Sequence, residues 1–321
     1  MKRTFRQACR QMLPPGVLRA RRVAIRLPVA IGRKVAQVRR RAARRARGLC
    51  DTLLFHPFRP HIEDDYTLML ISCRLGLRLT TDTRARFAAA VHWNDTTRRP
   101  QDALLEEIAK TRHVVNLRGN DISKTRVDAV MRDIFGYGLG LDPLTTAGPL
   151  LEKSDLNALH DGRIVEGPLA TTTPGRVYQR IIRGRRTGDV VEEIRVPVVG
   201  HRVPFVYLKH KRADDPLALS IRGTIVEPSA LLAPQEIDAL IRLSQALGID
   251  FGELDAMRDH ADGRIYVFDA NNTPAVRFVG VSAADRRGTV DRLAEAFEAA
   301  YLAPGFAPQA RPTDDGRQRR P

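Results

Sequence analysis

GRIYVFDANNTP, residues 263–274, decides the fold together with the FGELDAMRDHAD that precedes it. Asp262-Gly263 lies between two apolar runs, which is a strong signal for a β-hairpin. With the turn near position 262, Asp255 on the first strand lies nearly opposite Asp269 on the second. Strand side chains alternate between faces, so Asn271 points the same way as Asp269. Three oxygen-bearing side chains are therefore expected on one patch of one face.

This patch predicts a metal site. Two carboxylates at such close range repel each other unless a cation lies between them. Two carboxylates and an amide, with room left for water and phosphate oxygens, are typical of a magnesium site that works with a nucleotide. The alternative is a polar hairpin end with solvated aspartates, which is the usual situation for a single aspartate. Three donors in register favour the metal.

The length and composition of the chain are those of a globular protein. Its 321 residues can form roughly two or three compact units, and 43% of them are apolar and 28% charged. No stretch approaches the roughly 18 uncharged apolar residues of a membrane span. Cys9, Cys50 and Cys73 are odd in number and widely spaced. They fit neither a disulfide framework nor a zinc pattern, which favours a reducing cytoplasm.

The net charge of +16 is concentrated near the N-terminus. Sixteen of the 53 Lys and Arg residues lie in residues 1–50, which contain no Asp or Glu, so the rest of the chain has 37 basic and 37 acidic residues. Such a run can neutralise phosphates of a nucleic acid, lie on an anionic membrane surface, or be a solvated tail. The C-terminal APQARPTDDGRQRRP is rich in Pro, Arg and Asp, which predicts disorder.

Between these ends the pattern of apolar residues predicts a mixed α/β fold. Residues 66–72 and 113–119 are expected to be buried strands, separated by a helix that begins near Asp102. Further along the chain we expect a helix from position 123, strands over 148–154 and 176–182, two strands joined at Gly200-His201, and a helix from Pro234 to a cap at Gly248.

The hairpin resembles the C-terminal signature of the ATP-grasp superfamily. In that family an acidic residue on one strand, and an acidic-x-Asn pair on the next, hold the magnesium ions that bridge the phosphates of ATP. The resemblance implies those roles for Asp255, Asp269 and Asn271. Many members have Glu where this chain has Asp269. The resemblance covers about residues 65–300 and is most specific at the hairpin.

The same resemblance implies a nucleotide site formed by several earlier segments. Lys124, at a helix start, and Lys153, at a strand end, correspond to the lysines that meet the phosphates, which suits an ammonium as a point charge. The loop that follows has fewer glycines than the family's phosphate loop. Ser154, Asn157 and His160 are the expected replacements there, although His160 is equally consistent with a surface histidine. Residues 179–182, namely Gln179, Arg180, Ile181 and Ile182, correspond to the strand that binds adenine.

Three basic side chains are candidates for catalysis. Lys209 and Arg212 lie in FVYLKHKR, and Arg258 follows Asp255 on the hairpin. In this family such groups stabilise the transferring phosphoryl group or hold an acidic substrate. The other interpretation is a basic strand end. Glu253 stands where the D-alanine–D-alanine ligase branch has an arginine, which argues against the same substrate.

Together these features predict an ATP-grasp enzyme. We expect a basic, flexible arm (1–60), a small α/β pre-domain (61–120), a small subdomain (121–190), a larger antiparallel-sheet subdomain with the metal site (191–302) and a disordered tail (303–321). ATP is expected between the two subdomains.

The resemblance implies a magnesium-requiring ligase that activates a carboxylate as an acyl phosphate for attack by an amine or thiol. One alternative is a small-molecule kinase of the same fold. Another is an ATP-binding scaffold whose basic arm docks a nucleic acid or a membrane surface. The sequence leaves the oligomeric state open.

Overall fold

The computed structural model describes residues 35–58, 60, 66–159, 161–213, 220–275 and 279–303. Residues 1–34, His160 and residues 304–321 of the predicted tail lie outside the described residues. The described α-helices are α1 (35–46), α2 (Thr67–Leu75), α3 (Ala103–Ile108), α4 (Lys124–Phe135), α5 (Pro234–Ala246) and α6 (Ala283–Phe297). None of them is long and apolar enough to cross a membrane.

A parallel four-stranded sheet forms the first layer. It consists of β1 (Thr52–Pro57), β2 (Arg78–Thr80), β3 (Ala89–Trp93) and β4 (Val114–Val115), in the order β2-β1-β3-β4. Both faces of β1 are buried: Leu53 and Phe55 pack with residues of α2 and α6, and Leu54 packs with the side that α3 covers. Continuous apolar strands are what such a doubly covered sheet requires.

The expected strand over 66–72 is wrong, because this segment is the helix α2. Short apolar runs do not distinguish a strand from a buried helix. Leu68 and Ile71, three positions apart, are both fully buried, and the helix ends at Gly76, whose φ of 71° is left-handed. The strand expected over 113–119 is shorter than predicted and consists of β4 alone. It ends before Asn116, whose left-handed φ of 58° is not that of a strand.

The segment 35–58 differs from the expected flexible arm. It contains α1 and the inner strand β1. Neither was predicted, because the run of basic residues indicated a solvated segment. The side chain of Gln37 donates to the carbonyl of Leu77 at 3.1 Å, and the buried Arg44 pairs with Glu298. A Cβ on Gly76 would lie 2.6 Å from the backbone nitrogen of Arg41, so α1 packs directly on the end of α2.

An antiparallel sheet forms the largest layer. Its strands are β8 (Arg186–Thr187), β9 (Val190–Val199), β10 (Val206–Arg212), β11 (Arg222–Val226), β12 (Phe251–Arg258) and β13 (Ile265–Asn271), in the order β11-β10-β9-β12-β13 with β8 paired to β9. Helices α4 and α5 cover one face with apolar side chains. The predicted turn after Val199, the hairpin and both helices are confirmed.

A small antiparallel sheet lies between these two in sequence. It consists of β5 (Gly148–Ser154), β6 (Arg163–Gly167) and β7 (Arg176–Gln179), in the order β6-β5-β7. The sequence predicted β5 and β7 but not β6. The predicted helix after Asp102 is also confirmed, since the Asp102 carboxylate caps α3 by accepting from the backbone amides of Leu104 and Leu105.

Asn116 joins the parallel sheet to the hairpin. Its Nδ2 donates to the carbonyls of Phe251 (2.7 Å) and Asn272 (3.0 Å), and its Oδ1 accepts from the amides of Asp250 and Phe251. The side chain is buried and uses both ends of its amide, so it fixes the end of β13 against the end of β4.

Candidate active site

The register of the large sheet places a row of charged side chains on the face opposite α4 and α5. Asp255 pairs with Arg195 of β9 on one side and with Asp269 of β13 on the other. Neighbouring pairs are Glu253 with Asn271 and Lys209 with Glu193. The predicted opposition of the two aspartates is therefore correct, although the register shifts by one residue just after Asp255.

Asp255 is held by two cations. Arg195 donates to its carboxylate through Nε and Nη2, both at 2.9 Å, and Lys209 Nζ donates at 2.8 Å. Burial alone would raise the pKa of Asp255, but the charges of Arg195 and Lys209 outweigh it and hold the pKa far below its usual range. Asp255 is thus an anion with a fixed orientation.

The same two cations are shared with glutamates. Arg195 lies 3.2 Å from Glu253, and Lys209 pairs with the buried Glu193, which also accepts Lys211 at 2.6 Å. Burial lowers the pKa of Lys209, but Asp255 and Glu193 raise it further, so the ammonium stays charged. Alternating cations and anions therefore neutralise most of this face.

Lys124, Lys153 and Asp269 are the exceptions. Lys124 Nζ donates to the carbonyl of Leu156 (2.9 Å) and to Asn157 Oδ1 (3.1 Å), and Lys153 Nζ donates to the carbonyl of Phe268 (3.2 Å). These acceptors are all neutral. The Asp269 carboxylate accepts only from the amide that follows it, and none of the three residues forms an ion pair with a described residue.

The electrostatics of these three groups agree with that geometry. Burial lowers the pKa of Lys153 to about 8, with Asp269 acting in the opposite direction and Lys124 in the same one. Burial also raises the pKa of Asp269, while Lys124 and Lys153 lower it. The charges are close enough to influence one another and yet are not in contact. The space between them suits an added group that carries both signs of charge.

The small sheet is fixed along β13 by three side chains. Asn157 Nδ2 donates to the carbonyl of Ala270 at 2.8 Å, Lys153 reaches that of Phe268, and Arg180 Nη1 donates to the hydroxyl of Tyr266 at 2.5 Å. Both ends of the Asn157 amide are therefore used within the protein. The hydroxyl of Ser154 accepts from the amide of Leu156, so it is a loop contact here.

The segment expected to bind adenine lies where β7 ends. Gln179 is buried, and Ile181 and Ile182 are half-buried. The backbone amide of Arg180 donates to the carbonyl of Leu139, and its guanidinium lies 3.3 Å from Asp259 at the turn of the hairpin. The Arg180 side chain thus anchors the end of β7 to the hairpin.

Two predicted catalytic residues lie elsewhere. Arg258 is on the face covered by α5, where it donates to Glu236 (2.7 and 2.8 Å) and to the carbonyl of Leu231 (2.9 Å). It is three positions from Asp255, and strand alternation places it on the opposite face. Arg212 is exposed and alternates away from Lys209. Asn271 Oδ1 remains beside the aspartates, where it accepts from the amide of Thr273.

Arg195 was not identified from the sequence, and Glu193 and Glu253 were not predicted to lie beside Asp255. The signal lay in the period of β9, where Glu193 and Arg195 alternate with the apolar Ile194 and Val196. Without the pairing of β9 to β12, nothing linked these residues to Asp255. The described residues also form a groove of about 460 Å³ at the amino ends of β1 and β2, which none of the candidate residues lines.

Comparison with known proteins gives a fold and no sequence family. No protein-family model matches the chain, and no curated protein sequence matches it. The ATP-grasp ligase PsnB complexed with a minimal precursor, Mg and ADP is similar over 78% of this chain and 97% of that chain, at 16% identity and a TM-score of 0.51.

Two further solved structures are similar at lower TM-scores. D-alanine–D-alanine ligase from Bacillus anthracis complexed with ATP is similar over 78% of this chain and 95% of that chain, at 13% identity and a TM-score of 0.47. For PsnB complexed with a minimal precursor, the similarity spans 61% of this chain and 66% of that chain, just under two thirds, at 18% identity and a TM-score of 0.44. The chain has the ATP-grasp fold, as its sequence predicted.

Proposed function

We propose that this chain is an ATP-dependent, magnesium-requiring ligase that activates a carboxylate as an acyl phosphate for attack by an amine or thiol. One observation carries the proposal: on the ATP-grasp fold, the buried Lys124 and the half-buried Lys153 and Asp269 bring charges of both signs to one place, without ion-pair partners among the described residues. Isolated buried charges cost free energy, so they are retained where a ligand compensates them.

The residues fit Mg²⁺. Asp269 has a carboxylate without an ion-pair partner in the described part of the chain. It lies directly opposite Asp255 in the sheet, and Asn271 adds an amide oxygen on the same face. Mg²⁺ is typically held by one or two carboxylates plus phosphate oxygens and water. Asp255, Asp269 and Asn271 would hold it, with Asp255 oriented by Arg195. When bound it neutralises the charge that develops as the terminal phosphoryl group leaves.

The lysines bind and orient the nucleotide in this proposal. Lys124 and Lys153 meet phosphate oxygens as point charges, exchanging their present carbonyl acceptors for anionic ones. Ser154 and Asn157 adjoin them, and Gln179 to Ile182 lie around the adenine. A phosphate group would also raise the pKa of Lys153 above its present value of about 8, which keeps this side chain charged.

Of the three catalytic candidates, Lys209 lies on the same face of the sheet as Asp255. It is held between Asp255 and Glu193, and a negative charge arriving near Asp255 would compete with these carboxylates for it. In the first step a substrate carboxylate oxygen attacks the terminal phosphorus and ADP leaves. In the second step an amine or thiol attacks the acyl carbon and phosphate leaves. Lys209 stabilises the oxygens that carry charge in the first step.

The substrates are proposed by class. PsnB is described as an ATP-grasp ligase complexed with its minimal precursor, which supports a carboxylate and an amine or thiol as partners here. Cys50 and Cys73 form no disulfide with a described residue, which supports a reducing compartment such as the cytoplasm. A polyanion partner for the basic segment 1–50 is a separate proposal. Within the described part of that segment, Arg41, Arg44 and Arg45 are already paired with carboxylates.

Trapping with hydroxylamine tests the reaction. The protein is incubated with Mg-ATP, a panel of carboxylic acids and acidic peptides, and hydroxylamine in place of the amine. An acyl phosphate gives a hydroxamate together with ADP, and Asp269→Asn should abolish both products. A stable phosphorylated alcohol without hydroxamate would show a kinase. Binding of Mg-ATP without any ADP would favour the scaffold.

A further inference from the structure

The segment 94–99, which follows β3, lies where the three sheets meet. Asp95 accepts from the hydroxyl of Thr273, just beyond β13, at 2.6 Å. The hydroxyl of Thr97 accepts from the amide of Asn157 at 2.8 Å, and Arg98 pairs with Asp155 after β5. The carboxyl ends of parallel strands form the usual ligand crevice of an open α/β sheet. Residues of this segment therefore border the candidate active site.

Arg99 is buried at this junction, and two of its three guanidinium nitrogens have no hydrogen-bond partner among the described residues. Only 5% of the residue is exposed. Nη1 donates to the carbonyl of His92 at 2.7 Å, but Nε and Nη2 are enclosed and have no acceptor among the described residues. His92, 1% exposed, likewise has an enclosed Nδ1 without a partner.

The carboxylate of Asp95 does not accept a hydrogen bond from these donors. Asp95 attracts Arg99 electrostatically, but its two oxygens accept from the hydroxyls of Thr273 and Tyr66. Buried donors are almost always paired, because an unpaired one loses its hydration without compensation. Nε and Nη2 form the edge of a guanidinium that binds a carboxylate through two parallel hydrogen bonds.

We propose that Arg99, with His92 beside it, is a carboxylate-binding subsite that holds a substrate carboxyl group other than the one that is activated. The substrate would then be an acid with at least two carboxylates, either a small dicarboxylate or an acidic peptide. This inference rests on the proposed function, because it takes the bound acid to be the substrate of the ligase. The binding of a carboxylate to Arg99 does not itself require ATP. A carboxylate matches the planar pair of donors, Nε and Nη2, on the Arg99 guanidinium. A dianionic phosphate would have two negative charges against this one cation.

Binding is tested on the full chain without ATP or Mg²⁺. Succinate and a Glu-Glu dipeptide are the probes, with sulfate and inorganic phosphate at matched ionic strength as controls. The melting temperature of the parent should rise saturably with one of the carboxylate probes, and the one that acts at lower concentration identifies the source. Stabilisation by sulfate or phosphate alone, or by none of the anions, would overturn the proposal.

Two buried arginines give a matched pair of variants. Arg99→Met should melt at or above the parent without added anion, because it removes unpaired buried donors, and it should lose the succinate response. Arg44→Met should melt lower and keep the response. Arg44 is 6% exposed, but it is bonded to the carbonyl of Cys50 and to Glu298. A succinate response that survives in Arg99→Met would contradict the assignment.

A measurement on the parent covers the case in which Arg99→Met does not fold. The ¹⁵N-¹H signal of Arg99 Nε, assigned by its loss in Arg99→Lys, should shift downfield when succinate is added. No shift at saturating succinate overturns the subsite. The two proposals fail in different ways. Mg-ATP binding without a succinate effect contradicts the subsite and leaves the ligase proposal intact. A succinate effect without Mg-ATP binding removes only the ligase.

Discussion

Lys153 carries a positive charge to a place where its closest contacts are neutral. Its ammonium donates to the carbonyl of Phe268 and lies 5.5 Å from the centre of the Phe268 ring. Both contacts stabilise a cation weakly compared with a carboxylate. The charge therefore contributes little to the stability of the unliganded fold, and we expect its role to be the binding of a ligand.

Lys153→Met tests that role. The change keeps the length of the side chain and removes the charge, so the affinity for Mg-ATP should fall at least tenfold, or about 1.4 kcal/mol. Calorimetric titration measures it. Lys110→Met is the control, because Lys110 is exposed just beyond α3 and its one ion pair with a described residue is to Glu107. Equal ATP affinity in the parent and in Lys153→Met would show that the phosphates bind elsewhere.

The pH dependence of stability gives a second readout for Lys153. Its pKa is lowered by burial from 10.5 to about 8, so between these values the folded protein binds fewer protons than the unfolded chain. Stability from this group therefore rises with pH across that window. The gain in melting temperature from pH 8 to pH 10 should be larger in the parent than in Lys153→Met. Identical profiles would mean that the ammonium is not buried.

At this scale the sequence predicts side chains on one hairpin better than side chains on distant strands. The Asp-Gly turn and the two-residue period were enough to oppose Asp255 and Asp269. The same alternation, applied to Arg258, would have placed it on the other face. Lys209 was a catalytic candidate, but the contacts of Lys209 and Arg195 with Asp255 could not be predicted, because they depend on strand pairing between β9, β10 and β12.

The position of helix α1 is the feature of the fold that is least predictable from the sequence. Its arginine-rich composition predicts a solvated segment, yet its backbone lies against Gly76 at the end of α2. Contact through backbone atoms leaves no pattern of apolar side chains to read. The strand β1 was missed for a related reason, since it follows directly on a basic run.

Gly76→Ala tests the docking of α1. The new Cβ would lie 2.6 Å from the amide nitrogen of Arg41 and 2.8 Å from the carbonyl carbon of Arg40, so the helix must move. Gly48→Ala is a close control, because Gly48 has the same φ of +71° and nothing within 4 Å. The control should lose about 1–2 kcal/mol through backbone strain alone.

The melting temperature of each variant measures the difference. Gly76→Ala should fall further than Gly48→Ala, by about 2–4 °C for each additional kcal/mol in a protein of this size. If the two variants melt together, α1 is not packed on Gly76.

At the scale of the whole molecule, the N-terminal limit of the fold lies earlier in the chain than the charge pattern predicts. The sequence predicts that residues 1–60 form a flexible arm. The structure contradicts this for residues 35–55, because β1 lies between β2 and β3 and its residues Leu53 to Phe55 are fully buried.

Two truncations test that limit. A chain lacking residues 1–34 should melt cooperatively and gain the same stability from Mg-ATP as the full chain. A chain lacking residues 1–57 should lose cooperative melting, because the parallel sheet then lacks an inner strand. A cooperative transition in the shorter chain would show that the parallel sheet is not needed for the rest of the fold.

The central claim is that Asp269 belongs to a site for Mg-ATP, and a pair of melting curves tests it most directly. Asp269→Asn keeps the shape and removes a buried charge, so without ligand it should melt no lower than the parent. Asp238→Asn is the control, since Asp238 is exposed and, within the described residues, forms an ion pair with Arg242 alone. With saturating Mg-ATP, the parent and Asp238→Asn should gain several degrees and Asp269→Asn much less. If Asp269→Asn gains as much from Mg-ATP as the parent does, Asp269 holds no metal and the account is contradicted.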